Sequence, residues 1–212
     1  MVIEEIVSFW RDQSPTNAGQ WLHPDDMETF RDHHHSFNLD YPVSPYVGDI
    51  VNAPIIILGA NAGYRVDRTA SEFPDQAAIN TYLNRVRNPA TADWSGMAQY
   101  YHGKNYGPLL LEGKAVWINA CAYRSPRLSQ EAENRRLIRM LPSAQFTRQW
   151  LLEAVMPLAE CGERLVVAKR FGQWKLPPEL KGASGIVFDP APVSPQVTRK
   201  PWAAVRDFLR EV

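Results

Sequence analysis

The chain has 212 residues, of which 45% are hydrophobic and 22% charged, with 23 basic and 23 acidic side chains. This composition is typical of a globular domain with a sizeable core, and the balanced charge excludes a protein that holds DNA by its overall charge alone. A local basic face stays compatible with these numbers. No apolar run approaches the ~20 residues of a membrane span, so we expect no membrane partner.

The chain contains two cysteines, Cys121 and Cys161. Two thiols cannot hold an iron–sulfur cluster or a structural zinc site between them, so we expect neither. Both lie in apolar stretches, which favours buried, reduced thiols and a cytoplasmic protein. We predict a monomer without a cofactor, because no feature of the sequence demands more.

The sequence predicts an N-terminal helical extension over residues 1–45, packed on the rest of the domain. Residues 3–12 have an amphipathic pattern, and Pro24 followed by two aspartates is typical of a helix start. Three consecutive histidines, residues 33–35, would point in different directions on a helix. We therefore expect no metal site there.

The remainder of the chain alternates predicted strands and helices within one domain that covers residues 1–212. The predicted strands are 55–58, 115–120, 164–168 and 185–188, and the predicted helices are 75–87, 129–141, 146–159 and 202–210. Residues 42–49 are predicted as a proline-stiffened loop, and 59–63 as a tight loop that ends the first strand. Short, continuously apolar strands between helices indicate an α/β fold, a three-layer α/β/α sandwich around a mostly parallel four-stranded sheet.

Polar residues follow three of these strands. Asn61 lies in the loop after the first, Asn119 ends the second, and Asp189 begins the loop after the last. In open parallel sheets, ligands bind outside the carboxyl ends of the strands. The three side chains are therefore predicted to line one cavity at that edge.

The first of these sets resembles a motif of the uracil-DNA glycosylase superfamily, which reads GQDPYH or, in the mismatch-type enzymes, GINPG. Here it is Gly59-Ala60-Asn61-Ala62-Gly63. The resemblance places Asn61 where an Asp or Asn orients the attacking water. It places Gly63 where uracil-restricted enzymes carry a Tyr that blocks the pyrimidine 5-position.

The second set resembles the family strand that ends LLLNAVLTV. The corresponding stretch is Val116-Trp117-Ile118-Asn119-Ala120-Cys121. Asn119 matches the side chain that reads the edge of the flipped base, since its amide can both donate and accept. It is the predicted specificity element.

The third set resembles the HPSPLS loop, with Asp189-Pro190-Ala191-Pro192-Val193-Ser194 in its place. Asp189 replaces the catalytic His, and Ala191 replaces a phosphate-contacting Ser. Val193 replaces the Leu wedge that fills the vacated base stack, and Ser194 completes the predicted DNA contacts of the loop. The resemblance covers about residues 45 to 205.

The resemblance implies a base pocket made of close backbone and one aromatic ring. The backbone N–H groups around Ala60 to Gly63 would approach the base and sugar closely, and Gly59 is also a predicted base-binding residue. Phe73 is the predicted stacking aromatic, with Tyr64 as the alternative. Because Gly63 leaves the 5-position unblocked, the implied substrate is a 5-substituted pyrimidine, including the hypermodified cytosines of phage DNA.

The implied activity is that of a DNA glycosylase that flips the base and hydrolyses its N-glycosidic bond, leaving an abasic site, in DNA repair or in defence against phage. Asn61 would position the water. Asp189 would either be protonated and act as an acid or donor, or bind the water or a substrate hydroxyl.

DNA contacts are expected from basic residues near the same edge. The predicted phosphate-binding side chains are Arg124, Lys169, Arg170 and Arg199. Two alternatives stay open: a degenerate module of the same fold that binds nucleic acid or nucleotide without cleavage, and an unrelated open-sheet hydrolase of small nucleosides.

Overall fold

The computed structural model describes residues 1–126, 128, 130–191 and 194–211. Its strands are β1 (Tyr46–Gly48), β2 (Ile55–Gly63), β3 (Ala115–Ser125), β4 (Leu165–Ala168) and β5 (Ile186–Phe188). They form one sheet in the order β1-β3-β2-β4-β5, in which β1 is antiparallel to β3 and all other neighbours are parallel. The predicted α/β class is confirmed. The sheet is mixed and, within the described residues, has five strands instead of four.

The additional strand, β1, lies in the segment that was predicted to be a loop. Tyr46 and Val47 are buried and pair with Ile118 and Trp117 of β3. A strand of three residues, the last of which is a glycine, is too short to show a period of two, so the segment carried only its turn signals.

The two central strands are longer than predicted. β2 runs through residues 59–63, which were predicted as a tight loop, and β3 runs on to Ser125. Gly59 pairs with Asn119 and Asn61 with Cys121, and the register shifts between Asn61 and Gly63. Each strand supplies the hydrogen bonds that let the other continue, so both asparagines lie inside strands.

The helices cover most of the remaining chain. They are α1 (Glu5–Trp10), α2 (Met27–Asp32), α3 (Val66–Glu72), α4 (Gln76–Arg87), α5 (Gln99–His102), α6 (Gly107–Leu111), α7 (Ala132–Leu137), α8 (Pro142–Trp150), α9 (Met156–Glu160), α10 (Phe171–Trp174) and α11 (Arg199–Glu211). Short 3-10 segments occupy Pro24–Asp26 and Pro178–Gly182, and one π-helical turn, Leu151–Val155, joins α8 to α9.

Several predicted helices are confirmed with shifted ends. α4 begins after Asp75, whose side chain accepts a hydrogen bond from the Ala78 amide. The helix predicted over 129–141 is shorter than expected and covers only α7, and Ser129, its predicted N-cap, lies outside the described residues. The missed helices α3, α5, α6 and α10 have four to seven residues, which is too short for a helical period to emerge.

The core is built around the sheet. Every residue of β3 and of β4 is buried, so side chains cover both faces of these strands. Ile6 and Trp10 of α1 belong to the same buried cluster. Cys121 is buried as predicted, but Cys161 is exposed after the end of α9, so that prediction was wrong. In the described part of the chain, no helix is both long and apolar enough for a membrane crossing.

Candidate functional site

Four neighbouring strands bring a row of functional residues to the carboxyl-end edge of the sheet. Asn119 of β3 pairs with Gly59 of β2. Leu58 pairs with Ala168, so Lys169 comes next to Gly59 at the end of β4. Asp189 follows β5 at the same level, and its amide donates to the Ala168 carbonyl at 3.2 Å. At the usual strand spacing, about 14 Å separates the backbones at the two ends of this row.

The Asn119 side chain is fully engaged inside the protein. Its Nδ2 donates to the Ser44 carbonyl at 2.8 Å, and its Oδ1 accepts from Trp117 Nε1 at 2.9 Å. The residue is 1% exposed. In this conformation the amide has no free edge to present to a nucleobase, which argues against the predicted base-reading role.

Trp117 also occupies the space above Gly59. A Cβ built on Gly59 would overlap the Trp117 indole, so the ring lies directly against that glycine. The indole stacks on Tyr106, with ring centroids 5.2 Å apart and an angle of 22° between the planes. The space against Gly59, one of the predicted base-binding residues, is filled by the chain's own indole.

Asp189 is completely buried and carries four hydrogen bonds. Oδ2 accepts from Lys169 Nζ at 2.8 Å and from the Thr198 amide at 3.1 Å. Oδ1 accepts from the Thr198 hydroxyl at 2.8 Å and from the Ala191 amide at 3.1 Å. These four donors use the acceptor capacity of a carboxylate, so none remains for a water or a substrate hydroxyl.

The charge state of Asp189 follows from these contacts. Burial by itself would raise the pKa of Asp189, but the hydrogen bonds from Lys169 and Thr198 outweigh it and hold that pKa below its ordinary value. Of the two alternatives for Asp189, these contacts favour an ionised carboxylate over the protonated acid. The carboxylate ties the connection between β5 and α11 to the end of β4.

Asn61 keeps an available oxygen. The partly exposed side chain donates from Nδ2 to the Ala62 carbonyl at 2.8 Å and reaches the Tyr123 carbonyl at 3.5 Å. Its Oδ1 has no partner among the described residues and can accept a hydrogen bond from water. Beside it, Ala60 is partly exposed, and a Cβ at Gly63 would meet nothing within 4 Å.

The predicted stacking aromatic, Phe73, is packed internally. It is 6% exposed, stacks on Tyr41 at 5.7 Å and lies 5.1 Å from the Arg124 guanidinium carbon. The alternative, Tyr64, is partly exposed, with its ring 6.5 Å from that of Tyr41. Of the two candidates, only Tyr64 has ring surface open to solvent.

Two of the four predicted phosphate-binding side chains are buried in ion pairs. Arg124 is 5% exposed and binds both carboxylate oxygens of Glu72, at 3.2 and 3.3 Å. Lys169 is 1% exposed, and its ammonium bonds Asp189 and the Gln196 carbonyl. Neither can reach a phosphate in this conformation.

The other predicted DNA-contacting residues differ from one another in exposure and in hydrogen bonding. Arg199 is exposed in the first turn of α11, and Arg170 is partly exposed at the start of α10. The Ser194 hydroxyl donates to the Gln196 carbonyl, and the Ala191 amide is held by Asp189. The predicted wedge, Val193, lies outside the described residues.

One further aromatic near this edge, Tyr100, is a residue for which the sequence left open either stacking on a base or ordinary packing. Tyr100 on α5 is 44% exposed, with Lys104 Nζ 4.4 Å from its ring centroid. The segment that follows α5 is fixed to the loop after β5, since Gln196 Nε2 donates to the Gly103 carbonyl and Asn105 Nδ2 to the Val197 carbonyl. A basic residue four positions after a tyrosine was the signal available in the sequence.

Among the described residues, no group of three or more His, Cys, Asp or Glu side chains is arranged to hold a metal ion. Comparison of the chain with protein-family models, curated proteins and solved structures finds no match.

Proposed function

We propose that this chain has the three-layer uracil-DNA glycosylase fold and binds nucleic acid at the carboxyl-end edge of its sheet without cutting the glycosidic bond. The observation that carries the proposal is the position of the Trp117 indole, against Gly59 and hydrogen-bonded to Asn119. Binding without cleavage was one of the alternatives left open by the sequence, and this geometry favours it over excision.

The resemblance and the strand order support the fold. The three motifs come to neighbouring strands of the parallel part of the sheet, β3-β2-β4-β5. The first and second motifs are directly paired through Gly59 and Asn119. Trp117 packs on Tyr106 at the start of α6, on one face of the sheet. Ala120 lies three positions further along β3, so its side chain points to the opposite face, where it lines a small cleft with Ala144 of α8. Helices on both faces make three layers.

Three features argue against hydrolysis. The Trp117 indole lies against Gly59, one of the base-binding residues that the resemblance implies, and the Asn119 amide is already paired at both ends. The Asp189 carboxylate faces an ammonium instead of the leaving base. A catalyst of this reaction needs a donor aimed at the negative charge that develops on the base, whereas Asp189, at the position of the catalytic His, only accepts hydrogen bonds, from Lys169, Thr198 and Ala191.

The exposed charge at the edge supports an anionic partner. Three carboxylates near the edge, Glu72, Asp189 and Asp67, are paired with cations, and a fourth, Glu131, accepts from Ser125 at the end of β3. Four cations near the loop after β5 have no ion-pair partner among the described residues. They are Lys104, Arg170, Arg199 and Lys200.

Tyr100 completes a surface of the kind that binds single strands. Tyr100 is 44% exposed, and Lys104 Nζ lies 4.4 Å from its ring centroid. Aromatic rings on which bases stack, surrounded by cations that follow the backbone, bind single-stranded nucleic acid with little sequence preference.

A glycosylase remains the second candidate, because the Asn61 oxygen is available for a water and the space beside Gly63 is open. This function requires the Trp117 side chain to leave Gly59 when a base enters. The substrate would be a 5-substituted pyrimidine.

The test uses a panel of single- and double-stranded DNAs that carry uracil, thymine mismatches or phage-type modified cytosines. We expect retarded bands in gels, weakened by added salt, and no alkali-labile sites. Tyr100→Ala should weaken binding about tenfold, within the range for loss of one stacked base. Alkali-labile sites that Asn61→Ala abolishes would replace this proposal with the glycosylase.

A matched pair of charge variants separates a local interface from general attraction. The double variant Arg199→Gln and Lys200→Gln removes two charges from the start of α11, whereas the double variant Arg206→Gln and Arg210→Gln removes two from its second half. We expect weaker binding only for the first. Equal effects, or no binding of any DNA by the unmodified protein, would contradict the proposed interface.

A further inference from the structure

A basic cleft lies between α8 and the end of α10, on the face of the sheet opposite the Trp117 side chain. Ala120 of β3 and Trp174 of α10, both buried, lie at its base. Its enclosed part has a volume of about 10 Å³, which is room for one water-sized group. Three cations from separate segments line it, and they are Arg139, Arg148 and Lys175.

The positive charge of this cleft is not compensated within the protein. No aspartate or glutamate lines it, and none of its three cations has an ion-pair partner among the described residues. Positive charges that face one space repel one another, so an anion that binds between them is stabilised. Guanidinium and ammonium groups are the side chains that proteins use to bind phosphate. The lining therefore suits a phosphate group.

The backbone of Lys175 gives a second, independent indication. Lys175 follows α10 with φ 52° and ψ 36°, and in the described part of the chain it is the only residue other than glycine with a positive φ. This left-handed position after a helix usually carries glycine, because a Cβ is disfavoured there. Other residue types in such conformations are found preferentially at functional sites. Lys175 thus occupies a position where stability alone favours glycine.

The helix α10 connects this cleft to the proposed nucleic-acid interface. Arg170, one of the cations of that interface, lies at the start of α10, and Lys175 follows its end, roughly 8 Å further along a helix axis. Between them, Trp174 Nε1 donates to the Gly59 carbonyl at 2.6 Å, which fixes the helix against β2. A strand that binds at Arg170 can therefore place a phosphate in the cleft.

We propose, on the basis of the function proposed above, that the cleft binds the phosphate group at one end of a nucleic-acid strand. One phosphate oxygen fits the enclosed space, and the others face the cations at the mouth. A terminal phosphate carries close to two negative charges at neutral pH, whereas a phosphate within the strand carries one, so three positive charges favour the terminal group. A cleft with a closed base also accommodates the end of a strand better than a chain that must enter and leave it.

The first measurement compares single strands of one sequence that carry a 5′-phosphate, a 3′-phosphate or hydroxyl groups at both ends, by calorimetric titration of the whole protein. We expect one of the phosphorylated strands to bind about tenfold more tightly than the unphosphorylated strand, which is the effect of one charge-assisted contact. Inorganic phosphate should remove this preference when sodium chloride holds the ionic strength constant, because it competes for the cleft. Equal affinity of all three strands would overturn the assignment.

Lys175→Gly separates a binding role from a structural one. Glycine removes the charge and relieves the left-handed conformation, so the midpoint of thermal unfolding should rise while the preference for the phosphorylated strand falls to about threefold or less. Lys175→Arg keeps the charge and should keep most of the preference. Arg206→Gln removes an exposed charge that does not line the cleft and should leave the preference unchanged. Full preference in folded Lys175→Gly protein would contradict the proposal.

The cleft is also measured without DNA, by NMR titration of the whole protein with inorganic phosphate at constant ionic strength. We expect saturable shifts of the Ala120 and Lys175 amide resonances, and their loss in folded Arg148→Gln protein. No shift at millimolar phosphate would exclude the cleft as a phosphate site, whatever DNA the protein binds. Phosphate shifts in a protein that binds no DNA would instead contradict the proposed interface and, with it, the assignment to a strand end.

Discussion

The carboxyl-end edge of the sheet and the cavity between α1 and residues 21–24 differ in how their polar groups are used. At the edge, Asn119 and Asp189 are buried, and every polar atom of both side chains has a partner. Beside the cavity, Trp10 and Gln13 have buried polar atoms without a partner among the described residues. The motif residues at the edge are therefore arranged as internal structure, whereas the residues beside the cavity leave donor and acceptor capacity unused.

The difference shows that the type of residue at a strand end does not establish its role. Asn119 and Asp189 come to the edge that open parallel sheets use for ligands. Trp117 and Lys169, whose contacts cannot be inferred from a motif, then decide what those two groups can do.

The largest expected effect comes from breaking the ion pair at the edge. Asp189→Asn leaves the Lys169 ammonium, 1% exposed, without its counter-charge. We expect the free energy of unfolding to fall by about 3–5 kcal/mol, measured by urea denaturation. The control, Asp207→Asn, breaks an exposed pair with Arg210 and should cost less than about 1 kcal/mol.

The same pair has a second control. Replacing both members, with Asp189→Asn and Lys169→Met together, removes the isolated charge, so stability should recover in part. A single variant as stable as the original protein would show that Asp189 is not the structural group described above.

A loss of stability of intermediate size is expected for substitution of Gly59. Gly59→Ala places a methyl group into the Trp117 indole, and overpacking of this kind costs about 1–3 kcal/mol. Thermal unfolding measures the loss. Gly63→Ala is the matched control, because nothing lies within 4 Å of that Cβ and little change is expected. Equal stability of the two variants would contradict the contact between Gly59 and Trp117.

The smallest expected effect is on the pH dependence of stability, to which two buried aspartates, Asp189 and Asp26, contribute with opposite signs. The pKa of Asp189 is lowered, so its stabilisation is present above about pH 4 and is lost as the pH falls through the folded value. Burial raises the pKa of Asp26, against hydrogen bonds from Ser143 and Tyr123, so its favourable contribution exists at low pH and is lost as the pH rises.

Urea denaturation across the acid range checks these signs. The stability cost of Asp189→Asn should grow as the pH rises, whereas the cost of Asp26→Asn should shrink. Parallel curves for the two variants would show that the ammonium of Lys169 does not distinguish the two sites.

The sequence predicted the long elements and the edge to which the polar residues come. Continuous apolar runs identified β2 to β5, and the periodicity of 75–87 identified α4. The segment 59–63 was predicted as a loop because its glycines resemble a turn, but the neighbouring β3 keeps it in the sheet. Strand continuation depends on a partner distant in sequence, which local patterns do not contain.

The pairing of side chains could not be predicted for the same reason. Arg124 was predicted to contact phosphate, but Glu72, 52 positions earlier, binds it in the folded chain. Lys169 and Asp189 are 20 positions apart and meet only because β4 and β5 are neighbours. The cavity at Trp10 and Gln13 likewise depends on how α1 packs, and no motif marks it.

The placement of Trp117 has a kinetic consequence. Its backbone is paired with Val47 on one side and Ile57 on the other, so the strand is fixed and only the side chain can rotate. A base that enters against Gly59 must wait for that rotation. Association at this position would therefore follow a pre-equilibrium, with an observed rate that stops rising at high ligand concentration.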